Sequence, residues 1–189
     1  MNMPLVITQT LRRGGVGVLP TDTLYGIVGS ALNKRTVLRI YKLRKRNPKK
    51  PMIILIGSLA DLKKFGISLP TTHYKLLTGL WPNAVSVILP CPVKKFAYLH
   101  RGTKTLAFRF PKPKWLRDLL KKTGPLVAPS ANWEGHPPAA TIREAKKYFA
   151  DKVDMYIDAG RCTGKPSTLV RITPAGEAVV LRRGAVRVA

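Results

Sequence analysis

The sequence predicts an α/β fold in which a twisted, mixed β-sheet is flanked by helices. Three observations predict it. Helix-type and strand-type patterns are interleaved along the chain. The late strand patterns follow one another with little helix between them, which implies antiparallel pairs and hence a mixed sheet. The 189 residues, 45% of them hydrophobic, suffice to bury a core without disulfides or metals. No internal repeat, low-complexity tract or linker interrupts the chain, so a single domain over 1–189 is expected.

Residues 4–13 read as a helix closed by Gly14 and Gly15, followed by strands from Val16 to Leu19 and from Gly26 to Ala31. A helix over 34–45 is entered through Asn33. A strand from Met52 to Ile56 then precedes a helix over 59–65, set between Ser58 and Gly66. The next helix, 72–80, ends at Trp81-Pro82, and strands follow from Ala84 to Leu89 and from Thr105 to Phe110. Pro113 opens a helix over 113–122 that Gly124 stops, because proline is pre-set for a first helical turn and glycine for the residue beyond the last. After a strand from Leu126 to Ala128, Thr141 and Glu144 form a capping-box pattern at the start of a helix over 142–149. Three strands complete the chain: Met155 to Asp158, Thr168 to Ile172 and Ala178 to Leu181.

Several classes are excluded by composition. The longest apolar run, Met52 to Gly57, is strand-sized and far short of the ~20 residues of a membrane span. The opening MNMPLVITQTLRRGG lacks the pattern of a signal peptide. Cys91 and Cys162 are far apart and in no CxxC, which fits structural cysteines in a reducing cytoplasm. His73, His100 and His136 are isolated, so no metal cluster is expected.

Charge is the largest anomaly: 34 Lys and Arg against 9 Asp and Glu leave a net +25. Between Lys34 and Lys50 nine cations occur without an acid. A helix dipole favours cations only in its last turn, so a polyanion, a nucleoside triphosphate or RNA, is the better account of the rest.

Four segments present polar groups to a ligand. In Pro20-Thr21-Asp22-Thr23-Leu24-Tyr25-Gly26 a strand enters a turn rich in hydroxyls; its side chains either bind a ligand or bond the local backbone. In Thr105 to Phe110 the period of two sets Arg109 with Thr105 and Ala107, opposite Leu106, Phe108 and Phe110. A guanidinium there is either solvent-facing or paired with a carboxylate or phosphate, and since acids are scarce a ligand carboxylate is a candidate partner. Leu126 to Ala128 breaks at Pro129 and presents Ser130 and Asn132, which read as binding groups because neither GxSxG nor a positioned base accompanies the serine. Gly164-Lys165-Pro166-Ser167-Thr168 lacks the spacing of a phosphate-binding P-loop.

PTDTLYG, LRKRNPKKP, WPNAVSVIL, LAFRFP, APSAN, STLV and LRRGAV occur in that order across almost the whole chain. The pattern resembles the YrdC/TsaC family, the threonylcarbamoyl-AMP synthases. The resemblance implies a YrdC-like fold with a basic concave face, and condensation of L-threonine, bicarbonate and ATP into threonylcarbamoyl-AMP with release of pyrophosphate. Separate threonylcarbamoyl-transferase proteins then place the group on adenosine in ANN-decoding tRNAs. By position, the family's KxR pair falls on Arg44 and Arg46, with the lysine replaced by arginine, or in a shifted alignment on Lys42 and Arg44. Lys50, Ser130, Asn132 and Arg182 match further nucleotide contacts, whereas Thr23, Arg109 and Ser167 match threonine-holding positions, Arg109 as carboxylate clamp. A histidine that contacts threonine in some longer relatives is Leu55 here. The chain ends soon after LRRGAV, so the resemblance is to the short, single-domain type. No acidic cluster offers itself to Mg²⁺, which ATP itself would carry. If the Arg44 slot needs only a cation, Arg44→Lys is expected to be mild. The rival reading is a non-catalytic module that binds double-stranded RNA or assists ribosome maturation, which the net charge supports. A carbamoyl transferase is a third reading.

Overall fold

The computed structural model describes residues 5–173 and 175–188. The first residue of the expected 4–13 helix therefore lies outside the described residues. One nine-stranded sheet organises the chain, in the order β7-β1-β2-β6-β3-β5-β4-β8-β9. Its strands are β1 (Val16–Pro20), β2 (Tyr25–Ser30), β3 (Ile54–Leu55), β4 (Val85–Pro90), β5 (Thr105–Arg109), β6 (Leu126–Val127), β7 (Met155–Tyr156), β8 (Thr168–Ile172) and β9 (Ala178–Arg182). The sheet is mixed: β1 with β7, β3 with β5 and β4 with β8 are parallel, while the other five pairs are antiparallel.

Alternation along the central strands explains why both faces are covered. Val18, Ile27, Ile54 and Val127 enter the larger hydrophobic cluster, whereas their neighbours Leu19, Val28, Leu55 and Leu126 enter a smaller one on the opposite face. The smaller cluster is closed by Ile7 and Leu11 of helix α1 (Leu5–Arg12) and by Leu116, Leu119 and Leu120 of α5 (Lys114–Thr123). The larger is closed by Val37 and Ile40 of α2 (Lys34–Leu43), Leu77 of α3 (Thr71–Leu80), and Ile142 and Phe149 of α6 (Ile142–Phe149). Among the described residues no helix is long and apolar enough to cross a membrane.

Several elements differ from the sequence expectation for identifiable reasons. Residues 59–65 form a 3-10 helix, its entry fixed by Asp61 accepting from the Gly57 and Ser58 amides. The expected 34–45 helix stops at Leu43. Lys45 adopts φ 49°, its amide bonds Lys42 and that of Arg46 bonds Tyr41, a Schellman closure with lysine at the position glycine usually takes. Thr141 caps α6 as expected, but the Glu144 carboxylate accepts from the Ala140 amide, one residue before the cap. A short helix, α4 (Ala97–His100), follows a 3-10 turn at Lys94–Phe96 that no periodicity announced. The late strands also pair differently: only β8 and β9 form an antiparallel neighbour pair, and β7 lies beside β1 near the other edge. The chain from 157 to 167 therefore has to cross from one side of the sheet to the other.

Candidate active site

Two adjoining cavities share Ile53, Pro129, Ser130 and Arg182 as a common wall. The smaller, about 130 Å³, gathers Thr21, Thr23, Arg109, Ser130 and Ser167. The larger, about 390 Å³, is lined by Arg44, Arg46, Thr105, Ala107, Ser130 and Arg182. A hollow of about 620 Å³ against β9 is bigger, but it brings no buried charged group to its lining.

The small cavity is built by the turn between β1 and β2, the end of β5 and the crossing segment. Thr21 shapes the turn: its Oγ1 donates to the Leu24 carbonyl at 2.7 Å and lies 3.1 Å from Thr23 Oγ1. Both threonines line the cavity, and Thr21 bonds the local backbone of the turn as well. Gly164 lets the crossing segment touch this turn, since a β-carbon there would overlap the Thr23 carbonyl oxygen. Beyond it, Pro166 and Ser167 close the cavity, and Ser167 Oγ lies 2.8 Å from Ser86 Oγ with both hydroxyls buried.

Arg109 is 3% exposed and has a protein partner, Asp22. The scarcity of acids pointed instead to a ligand carboxylate. Asp22 Oδ1 lies 2.9 Å from Arg109 Nη2, a charge contact in which neither carboxylate oxygen is properly hydrogen-bonded, and Arg109 Nε also has no partner. Burial pushes the Asp22 carboxyl above the usual carboxylate range, with the Arg109 charge opposing. Burial likewise lowers Arg109, helped by the charge of Arg182 and opposed by Asp22. A second carboxylate entering the cavity would meet a guanidinium only partly satisfied by the first.

The large cavity owes its cations to the turn after α2. Arg44, buried, donates from Nε to the Ser130 carbonyl at 2.8 Å and from Nη2 to Asn132 Oδ1 at 3.1 Å and Ser130 Oγ at 3.3 Å, leaving Nη1 without a partner. Burial first, and then the neighbouring Arg46 charge, lower its pKa to about 10. Arg46 folds back to the Lys50 and Pro51 carbonyls at 3.1 and 2.8 Å. Arg182 sits at the mouth and donates to the Ser167 carbonyl at 2.9 Å, which joins the walls of the two cavities.

Two of the expected binding groups line neither cavity. Asn132 is buried behind Arg44: its oxygen accepts from that guanidinium and its amide donates to the Trp133 and His136 carbonyls, so its hydrogen-bonding groups are already taken. Lys50 points to Glu134, Nζ to Oε1 2.8 Å, at the edge of the turn. Lys42, on the exposed side of α2, is absent from both linings, whereas Arg44 and Arg46 line the larger cavity. The tolerance expected of Arg44→Lys is also revised, because an ammonium cannot reproduce the fork that binds Ser130 and Asn132 together.

The family model Sua5/YciO/YrdC, described as "Telomere recombination", matches residues 9–184. This chain belongs to the Sua5/YciO/YrdC family. A Mycobacterium tuberculosis protein provisionally named threonylcarbamoyl-AMP synthase is 32% identical over 178 residues, 93% of this chain and 81% of the relative. The structure of Pyrococcus abyssi Sua5 complexed with L-threonine superimposes with a TM-score of 0.85 at 28% identity, covering 95% of this chain and 53% of that one. Escherichia coli YciO matches with a TM-score of 0.81 at 24% identity, over 95% of this chain and 87% of its own, which speaks to the fold. The chain thus carries the Sua5/YciO/YrdC fold and spans about half of the longer Sua5 protein.

Proposed function

We propose that this chain is an L-threonylcarbamoyladenylate synthase, a nucleotidyltransferase that condenses L-threonine, bicarbonate and ATP into threonylcarbamoyl-AMP and pyrophosphate. One observation carries the reading: a small cavity with a buried guanidinium and hydroxyls adjoins a larger one with three arginines, and Ser130 and Arg182 belong to both. An amino acid and a nucleotide held in these two spaces would have their reacting ends at the shared wall.

In this reading Arg109 takes the threonine carboxylate, with Thr23 and Ser167 beside it. The neutral threonine amine adds to bicarbonate, losing water, to give a carbamate. A carbamate oxygen then attacks the α-phosphorus, and the bond from that phosphorus to the bridging oxygen breaks as pyrophosphate leaves. Arg44, Arg46 and Arg182 neutralise charge that shifts toward the leaving phosphates, with Lys50 at the edge and Asn132 orienting Arg44. Positioning and electrostatics are the main protein contributions to such a transfer. Among the described residues no group of three acidic, histidine or cysteine side chains could hold a metal, so a Mg²⁺ would arrive on the ATP phosphates. The product would pass to threonylcarbamoyl-transferase proteins acting on tRNA in the cytoplasm. The net +25 charge supports an additional contact with tRNA or double-stranded RNA, read as a steep fall of RNA affinity with salt.

Pyrophosphate release from ATP, with threonine and bicarbonate each supplied or omitted, tests the proposal. Release that requires both, and is lost in a folded Arg46→Ala variant, is the expected outcome. Release indifferent to threonine, or full activity in that variant, would overturn it.

A further inference from the structure

The cationic turn after α2 is strapped to the segment after β6 by a single acidic residue. The Glu134 amide donates to the Arg44 carbonyl at 2.8 Å, while its carboxylate accepts from the Asn47 amide and, at 2.8 Å, from Lys50 Nζ. Lys45 extends over the neighbouring Trp133 ring, 3.4 Å from its centroid. The turn carries Arg44, Lys45, Arg46, Lys49 and Lys50, and Glu134 is the acid ion-paired to it among the described residues. A backbone N–H beside a lysine ammonium is the donor set that proteins offer to phosphate oxygens. Asn47 directly follows Arg46 and Lys50 directly precedes Pro51, and both Arg46 and Pro51 line the large cavity.

We infer that Glu134 is an internal anion occupying a phosphate site, formed by the Asn47 amide and the Lys50 ammonium, which a phosphate group of the nucleotide takes over on binding. The occupant can leave. The Glu134 side chain is 24% exposed and that of Lys50 62%, and Gly135 follows with φ 84°, a conformation that glycine adopts without strain. Exposed carboxylate–ammonium pairs are weak, whereas a polyphosphate brings more charge to the same donors. Glu134 thereby keeps the turn ordered and its cations from repelling one another until the anion arrives. The inference deepens the reading of the large cavity as a nucleotide site and rests on it for the identity of the anion.

The test is calorimetric titration with inorganic tripolyphosphate of the full chain and of Glu134→Gln, Glu134→Ser, Lys50→Met and Glu134→Gln/Lys50→Met, each checked for folding by circular dichroism. Removing the competing charge should tighten tripolyphosphate binding by about threefold or more in Glu134→Gln, in line with the strength of an exposed pair. Glu134→Ser should do likewise, and the gain should vanish with Lys50→Met. Unchanged or weaker binding in both folded Glu134 variants, or a gain that survives Lys50→Met, overturns the inference and makes Glu134 only a structural clasp. Failure is separable from that of the synthase reading. Threonine-dependent pyrophosphate release without any effect of Glu134 on tripolyphosphate sinks the phosphate site alone. Tighter tripolyphosphate binding without release upholds the phosphate site and sinks the enzyme assignment.

Discussion

The two cavities are built by opposite routes. The small one is made from the β1–β2 turn, the end of β5 and the crossing segment, and its key groups are buried and already partnered: Arg109 with Asp22, and Ser167 with Ser86. The large one takes its cations from a helix-terminal turn and the sheet edge, where Arg46 and Arg182 are at least partly exposed and held by backbone carbonyls. Arg44 belongs to both styles, buried like the first group and carried by the turn of the second. A buried, pre-oriented pocket suits a small ligand that must be selected atom by atom, whereas an adjustable cationic rim suits a polyphosphate whose charge is spread over many oxygens.

Breaking the small cavity should cost both fold and function. Arg109→Met leaves Asp22 buried without its counter-ion, so a loss of about 3–5 kcal/mol in urea unfolding is expected, together with loss of threonine-dependent turnover. Adding Asp22→Asn should recover much of the stability and none of the activity. If Arg109→Met alone unfolds as the parent does, the pair is not the buried anchor described.

Arg44→Lys sharpens the comparison from the other side. It forfeits charge-assisted bonds to Ser130 and Asn132 worth about 1.5–3 kcal/mol each, so the KM for ATP should rise roughly tenfold or more while the KM for threonine moves little. Equal changes in both constants would show that the shared wall, rather than the nucleotide side, had been disturbed.

Ser167→Ala leaves the Ser86 hydroxyl buried without a partner and should cost about 1–3 kcal/mol, whereas the Ser86→Ala/Ser167→Ala double variant should regain most of it by removing both polar groups. A threonine KM that stays raised in the double variant would assign Ser167 to the ligand; a restored one would leave it a structural role. The smallest effect belongs to the rim: Lys50→Met breaks a pair with an exposed ammonium and should shift unfolding by less than about 1 kcal/mol.

Local signals in the sequence match the structure wherever the chain itself supplies the partner. Asn33 and Thr141 cap the helices that follow them, Gly14 and Gly124 lie just beyond α1 and α5, and Arg109 shares a sheet face with Thr105 and Ala107 as the period of two requires. The strands expected from Met52 to Ile56 and from Met155 to Asp158 shrink to the two residues each of β3 and β7, and α4 has no counterpart in the sequence pattern, because two to four residues give no period to read. α2 ends before the expected 34–45 helix does because Lys45 takes a left-handed conformation normally announced by glycine.

What the sequence determined by itself is the alternation of elements, the excess of cations between Lys34 and Lys50, and the ordered motifs by which the chain resembles its family. The choice among those cations, and the partners of the polar groups, came only with the tertiary structure. Arg44 meets Ser130 and Asn132 across more than eighty residues, Arg109 meets Asp22 across a similar span, and Lys50 meets Glu134 rather than a cavity. Charge pairing and burial depend on which distant segments the sheet order brings together, and neither periodicity nor composition carries that information.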